Sequence, residues 1–353
     1  MFELTEASAT DYFRAAGRVA AEETAEVREL VGGVSNLALL VELPDRGERF
    51  VLKQARGKLR VRDDWQCSIE RIWREVQTLR TCGELLDANS QSASTGPPCS
   101  FAVPRILWED RENYAYAMTA APHGHRTWKE ILLAGETEPS QPIAAACGIL
   151  LATLHGRSWN DPAVATRLAD RSFFDALRLD PYYRQIARVH PDLAAPIERL
   201  IASVWEHRLC LVHGDFSPKN LLVWPGHALL IDFEVGHFGD PAFDLGFFLT
   251  HLALKSIWAG ERGGEYRALA ADFWRAYRDQ LASLVSPTES TDLEERTVLN
   301  LAGCLLARVD GKSPVDYLAP PQQAHVRALA REWICNPPTR LTDALAATFS
   351  MAI

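Results

Sequence analysis

The sequence predicts an α+β protein of two lobes: a small antiparallel β-sheet N-lobe over residues 1–119 and a larger, mainly helical C-lobe over 120–353. Three observations predict it. Short apolar or alternating runs bounded by turn residues concentrate before residue 119 and read as strands. Segments with apolar residues at helical spacing dominate after residue 126. No sustained β-α-β alternation joins the two halves, which argues against a doubly wound sheet.

Composition narrows the function classes. The chain has 353 residues, 47% hydrophobic and 24% charged, enough for an ample core. A net charge of −9 argues against a nucleic-acid binder, which needs a basic surface to neutralise phosphates. Seven scattered cysteines without a CxxC pair suggest neither zinc nor a disulfide framework, but free thiols in a reducing cytoplasm. Met1–Glu6 lacks the basic-then-apolar pattern of a signal peptide, and no run of about eighteen apolar residues predicts a membrane helix. Nothing specifies an oligomeric state.

The N-lobe elements follow in order. Residues 7–17 form a short helix anchored by Tyr12 and Phe13. Val31-Gly32-Gly33-Val34-Ser35-Asn36 leads into an alternating strand, Leu37–Leu43, closed by Pro44-Asp45-Arg46-Gly47. A second strand runs from Arg49 to Gln54. Glycines at the hairpin's entry let backbone N–H groups approach a phosphate, although a plain β-turn fits the same residues. Lys53 reads either as a solvated edge lysine or as a phosphate-reaching one held by a helical glutamate. The helix is Ser68–Cys82, with Ile69, Ile72, Trp73, Val76 and Leu79 on one stripe. Glu75 lies beside that stripe and is preferred to Glu70, which sits nearer the helix entrance. Asp87–Ser100 is a Ser-, Gly- and Pro-rich insert. Strands near 102–108 and 114–118 complete the lobe, and 119–124 is a linker.

In the C-lobe, 143–155, 173–177 and 197–208 read as helices, with His155 a core or capping histidine. Leu211-Val212-His213-Gly214-Asp215-Phe216-Ser217-Pro218-Lys219-Asn220 follows. Asp232 directly follows the apolar run 228–231, and Asp215 follows the run 209–212 after His213-Gly214, so both are read at strand ends, with the two strands joined by a turn at 224–227. Asp244 is the expected N-cap of a helix to Leu254. Further helices are expected near 264–284, 290–308, 320–333 and 341–349. Glu289, Asp292, Glu294 and Glu295 read as an exposed helix start. Asp310-Gly311-Lys312-Ser313 is not a P-loop, because position 306 is Leu; it reads as a loop that lines an acceptor site through Arg308, Asp310 or Lys312.

These parts suit phosphoryl transfer, which needs in-line positioning and charge neutralisation more than covalent chemistry. Asp215 would orient and deprotonate an acceptor hydroxyl. Asn220 and Asp232 would hold Mg²⁺, a hard cation that prefers oxygen. Lys53, fixed by Glu75, would bind nucleotide phosphates beneath Gly32, Gly33, Ser35 and Asn36. Each residue alone has a plain structural reading; their order and spacing set them apart.

HGDFSPKN at 213–220, IDFE at 231–234, LATLH at 151–155, VLK at 51–53 and GGVSN at 32–36 together resemble the aminoglycoside phosphotransferase and choline kinase family. The resemblance implies a two-lobed protein-kinase-like fold and an ATP-dependent (or other NTP-dependent) kinase of small-molecule hydroxyls, whether sugar, amino alcohol or aminoglycoside. It implies that Asp215 is the catalytic base, that Asn220 and Asp232 are metal ligands, and that Met118 to Ala120 form the hinge at adenine. Residues 53–65 and 232–246 are also similar to methylthioribose kinases, although Asn220 stands where those enzymes carry Ser. A silent nucleotide-binding protein on the same fold would lack Lys53, Asp215, Asn220 or Asp232, and all four are present.

Overall fold

The computed structural model describes residues 2–30, 36–57, 68–87 and 99–348. The chain runs through α1 (Glu6–Ala15), β1 (Glu26–Glu29), β2 (Asn36–Leu43), β3 (Glu48–Ala55), α2 (Arg71–Asp87), β4 (Ser100–Ala102), β5 (Ile106–Asp110) and β6 (Ala115–Thr119). Five of these strands form an antiparallel sheet in the order β1-β2-β3-β6-β5. Most of the Ser-rich insert, 88–98, lies outside the described residues.

Strand alternation sorts the sheet into two faces. Leu37, Leu39, Val41, Phe50 and Leu52 pack on Tyr12 and Phe13 of α1. Leu40, Val51, Tyr116 and Met118 join Ile72 and Val76 of α2 in the larger core. Burying each such side chain contributes about 1.5–3 kcal/mol, so both faces are held in register. Lys53 lies two residues beyond Val51 and therefore shares the inner face.

The C-lobe begins with β7 (Arg126–Thr127), α3 (Trp128–Leu133), α4 (Gln141–Arg157), α5 (Pro162–Arg167) and α6 (Ser172–Phe174). A π-helical segment, Asp175–Arg184, then leads to α7 (Gln185–Val189) and α8 (Ala194–Glu206). The central part holds β8 (Cys210–Val212), β9 (Leu221–Trp224), β10 (His227–Leu230) and β11 (His237–Gly239). Helices α9 (Pro241–Ala259), α10 (Gly263–Ala282), α11 (Leu293–Asp310), α12 (Pro320–Cys335) and α13 (Leu341–Ala347) close the chain. This is the kinase-like arrangement that the sequence predicts. No helix among the described residues is long and apolar enough to cross a membrane.

Four local expectations differ. The single strand expected over 102–108 is two: β4 pairs in parallel with β10, while β5 joins the N-terminal sheet. Pro104 lies between them, and without an N–H it interrupts a ladder. The 224–227 turn joins β9 to β10, and the strand before Asp215, β8, pairs instead with β11. Leu221–Trp224 is itself a half-buried strand, and it takes the place next to β10. The helix expected over 173–177 passes into the wider π-helical turn that contains Pro181, whose ring cannot sit in a regular i to i−4 ladder. Asp240, not Asp244, caps α9, its side chain accepting from the N–H of Ala242 at 3.0 Å.

The C-lobe helices meet backbone to backbone. A Cβ on Gly148 of α4 would lie 2.4 Å from the carbonyl oxygen of Phe273 and 2.8 Å from the nitrogen of Tyr277 on α10. One on Gly246 of α9 would lie 2.6 Å from Asn300 Cβ and from the nitrogen of Leu301 on α11. Gly148→Ala is therefore expected to destabilise the fold by about 1–3 kcal/mol, read as a lower urea midpoint with an unchanged slope. Gly264→Ala, where nothing lies within 4 Å, should change the midpoint little.

Candidate active site

The inner face of β3 and the buried stripe of α2 bring Lys53 to Glu75, with Nζ to Oε1 at 2.5 Å. Glu70 points elsewhere, accepting from the Tyr114 hydroxyl at 2.9 Å. Lys53 Nζ also meets Asp232 Oδ1 at 3.4 Å. Burial disfavours the Lys53 ammonium, but Glu75 and Asp232 outweigh it and keep the lysine charged. Asp232 sits just after β10 with φ at 73°, a left-handed conformation that costs a non-glycine residue energy. That backbone carries its carboxylate toward Lys53.

A second layer surrounds this pair. Asn36 Nδ2 reaches Glu75 Oε2 at 3.4 Å and Glu234 Oε2 at 3.3 Å. The buried Arg71 donates through Nε to Glu234 Oε2 at 3.3 Å and through Nη2 to Asn36 Oδ1 at 3.2 Å. Burial, with Asp232 and Glu75 close by, pushes Glu234 up to about 7. Glu75, Asp232 and Glu234 thus gather around Lys53 and Arg71. Gly32, Gly33 and Ser35 lie outside the described residues.

Asp215 follows β8 on a loop fixed by Asp244. Asp244 Oδ2 accepts from the His213 N–H at 2.7 Å and Oδ1 from the Gly214 N–H at 2.8 Å. Its other neighbour, His155 Nε2, lies at 3.4 Å, and His155 Nδ1 is 2.9 Å from the Tyr277 hydroxyl. Gly214 has φ at 75°, and a Cβ there would meet Val235 Cγ2 at 2.9 Å. The loop thus turns sharply and buries the Asp215 side chain, which is 2% exposed.

Both Asp215 oxygens are engaged. Oδ1 meets Arg178 Nη2 at 2.9 Å, while Oδ2 meets Lys219 Nζ at 2.9 Å and Asn220 Nδ2 at 2.8 Å. Burial alone would raise the carboxyl, but Arg178, Lys219 and Asn220 hold it well below the usual carboxylate range. Asn220 turns its Nδ2 to Asp215, so its Oδ1 takes no donor among the described residues. Lys53 takes Asp232 Oδ1, leaving Oδ2 likewise open. These two oxygens fit a hard cation. No group of three or more His, Cys, Asp or Glu able to hold a metal occurs among the described residues. A cation here would therefore draw its remaining ligands from water and substrate phosphates, as Mg²⁺ commonly does.

Beside this centre lies a cleft of about 260 Å³ lined by Leu40, Val51, Ala120, Ala121, His123 and Leu222, among others. Ala120 is on its wall, whereas Met118 is buried in β6 opposite Val51. Of the residues expected to line an acceptor site, Arg308 and Asp310 end α11 and Lys312 lies just beyond it. Arg308 Nη1 reaches the Tyr182 hydroxyl at 3.2 Å, but Asp310 is tied to His190 and Arg327, and Lys312 to Asp180. The sequence reading missed Arg178, Lys219 and the clamping role of Asp244. Lys219 was legible as a basic residue four positions after Asp215. Arg178 carries no local signal, since it arrives from the irregular helix before α7.

The model of the phosphotransferase enzyme family (APH) matches residues 26–284. A methylthioribose kinase of Pectobacterium atrosepticum is 26% identical over 276 residues, covering 70% of this chain and 64% of that relative. The match thus spans less than two thirds of the relative's length. A choline/ethanolamine kinase family protein from Mesorhizobium loti shares the fold at 18% identity, with a TM-score of 0.53 over 97% of this chain and 99% of that one. So does an amicoumacin kinase in complex with AMP-PNP and Ca²⁺, at 14% identity and a TM-score of 0.52 over 91% of each chain.

The Asp244 clamp generates a prediction with a defined pH dependence. His155 and His213 overcome the effect of burial and hold the Asp244 carboxyl below its ordinary value. The unfolded chain therefore binds the proton more readily, so this stabilisation is complete above about pH 4 and is lost as pH falls. Asp244→Asn is expected to cost about 2–4 kcal/mol at pH 7, because two buried N–H groups lose a charged acceptor. The difference from the parent should shrink as urea unfolding is repeated below about pH 4.

Proposed function

The chain belongs to the phosphotransferase enzyme family, and from that premise we propose that it moves the γ-phosphoryl group of ATP, or another nucleoside triphosphate, to a hydroxyl of a small molecule. The observation that carries this reading is Asp215: a buried, ionised carboxylate beside an open-sided cation site and a buried Lys53–Glu75 pair. A structural ion pair would not need all three at one cleft.

Each residue has a role in this reading. The apolar wall of Leu40, Val51, Ala120 and Leu222 takes the base of the nucleotide. Lys53, oriented by Glu75, binds the nucleotide phosphates. Asn220 Oδ1 and Asp232 would hold Mg²⁺, which when bound neutralises phosphate charge as the phosphoryl group departs. The depressed Asp215 carboxyl is a weak base, so it accepts the acceptor's O–H hydrogen bond, aligns that oxygen, and takes the proton late in a loose transition state. Arg178 keeps it in place, and the half-exposed Lys219 lends positive charge to the transferred group. The methylthioribose kinase relative favours a sugar-type acceptor. A reaction that consumes ATP suits the cytoplasm, where the free thiols stay reduced.

Asp215→Asn is expected to lower kcat by about 10²–10⁴-fold while ATP still binds, as measured by acceptor-dependent ADP release and by calorimetry. Unchanged turnover would sink the assignment. Lys53→Met should instead raise the KM for ATP. Because Asp215 stays ionised, the parent's kcat should show no acid limb from this group between about pH 5 and 8.

A further inference from the structure

Beyond Asp215, one stripe of α9 carries Phe247, His251 and Lys255, four residues apart and so one above another on the helix. All three are buried, and Lys255 is 1% exposed. The stripe adjoins the catalytic aspartate through Arg178. That guanidinium pairs with Asp215 and lies 5.7 Å from the Phe247 ring centroid. The His251 ring meets Phe247 edge-on at 5.1 Å.

This stripe holds a buried lysine beside other cations, while Asp215 acts on His251 and Asp316 on Tyr317. Lys255 Nζ donates to the carbonyl of His251 at 3.3 Å and lies 5.6 Å from the Tyr317 ring centroid. No carboxylate pairs with it among the described residues. The charged groups around it are cations, Lys129 from α3 and Arg308 from α11. Burial and these two cations push Lys255 down to about 7. Several polar atoms at the same place lack partners: His251 Nε2, Arg308 Nε and the Tyr317 hydroxyl. Buried ammonium groups are ordinarily paired, and buried donors bonded. Unsatisfied polar atoms from α9, α11 and the segment that follows α11, gathered beside a buried lysine, fit an anion-binding site better than a packing accident.

We propose that this cluster is an anion subsite of the acceptor pocket, so that the hydroxyl compound presented to Asp215 carries a carboxylate or phosphate ester group. The inference rests on the kinase reading for its identification as an acceptor pocket. It opposes a polycationic acceptor, which would meet Lys255, Arg308 and Lys129 with like charge. Two helical turns separate Phe247 from Lys255, about 12 Å along the axis. The anion is therefore separated from the reacting hydroxyl by a chain of several carbons.

Calorimetry on the full chain, with the nucleotide site filled by AMP-PNP, tests this with glucose, gluconate, glucose 6-phosphate and kanamycin. Gluconate or glucose 6-phosphate should bind about tenfold or more tighter than glucose, and kanamycin weakest. Which of the two anions gains distinguishes a carboxylate from a phosphate ester. Lys255→Met should erase the preference and Lys255→Arg keep it. Should Lys255→Met fail to fold, His251→Phe is the second variant, and it should weaken the preference. No anion binding, equal binding of glucose and both anions, or a preference that survives these substitutions overturns the proposal. The kinase reading is judged separately: anion binding without any Asp215-dependent ADP release would defeat that reading and leave the anion subsite standing.

Discussion

Two backbone N–H groups, of His213 and Gly214, point at one buried carboxylate, and the site depends on that arrangement. Asp244 accepts both, at 2.7 and 2.8 Å. A loop that turns through a left-handed glycine at the end of a three-residue strand has little to hold it locally. The clamp comes instead from the first turn of α9, a helix fixed at its own start by Asp240, Ala242 and Arg296. The position of Asp215 is thus set by the helix that also carries Phe247, His251 and Lys255. Asp215 and the proposed anion subsite thus rest on one rigid element, the condition under which a site can be held to fractions of an ångström.

The Lys53–Glu75 pair performs the corresponding task across the lobes. Its lysine belongs to the sheet, its glutamate to α2, and its third member, Asp232, to the C-lobe loop after β10. Burying an ion pair stabilises a fold weakly, because desolvation offsets most of the attraction. Its worth here lies in geometry: one ammonium ties three separate elements to a single point. The strained φ of Asp232 is consistent with that tie, since a left-handed aspartate persists only where its surroundings hold it.

Most of the fold was legible because it depends on periodicity. Alternation along Leu37–Leu43 gave a two-faced strand, and helical stripes gave α2, α4 and α9 to α12 to within a few residues. Asp215, Asn220 and Asp232 were legible because they lie close together in the chain. Glu75 was separable from Glu70 by its place beside the buried stripe of α2. What failed was partnership between distant segments. Nothing local says that β8 pairs with β11 rather than with β10, or that Arg178 comes back to Asp215 from 37 positions away. Asp244 misled for another reason: an acidic residue near a helix start reads as a cap, and one four positions earlier held that place. Lys255, which has no carboxylate partner among the described residues, was invisible, because a lysine's counterion is a property of its surroundings and not of its sequence.

The missing side chains at Gly148 and Gly246 have a further consequence. Where helices touch through their backbones, no side chain can change rotamer to let them slide, and interiors packed this closely are stiff. The helical half of the molecule behaves as an anvil. Ligands that enter a cleft with buried walls need something to yield, and the tightly abutted α4, α9, α10 and α11 are poorly suited to do so. The compliance falls to the thinner sheet side and to its few polar ties with the floor. On that account Lys53, which ties the sheet to the loop after β10, is one of the contacts through which the cleft would yield.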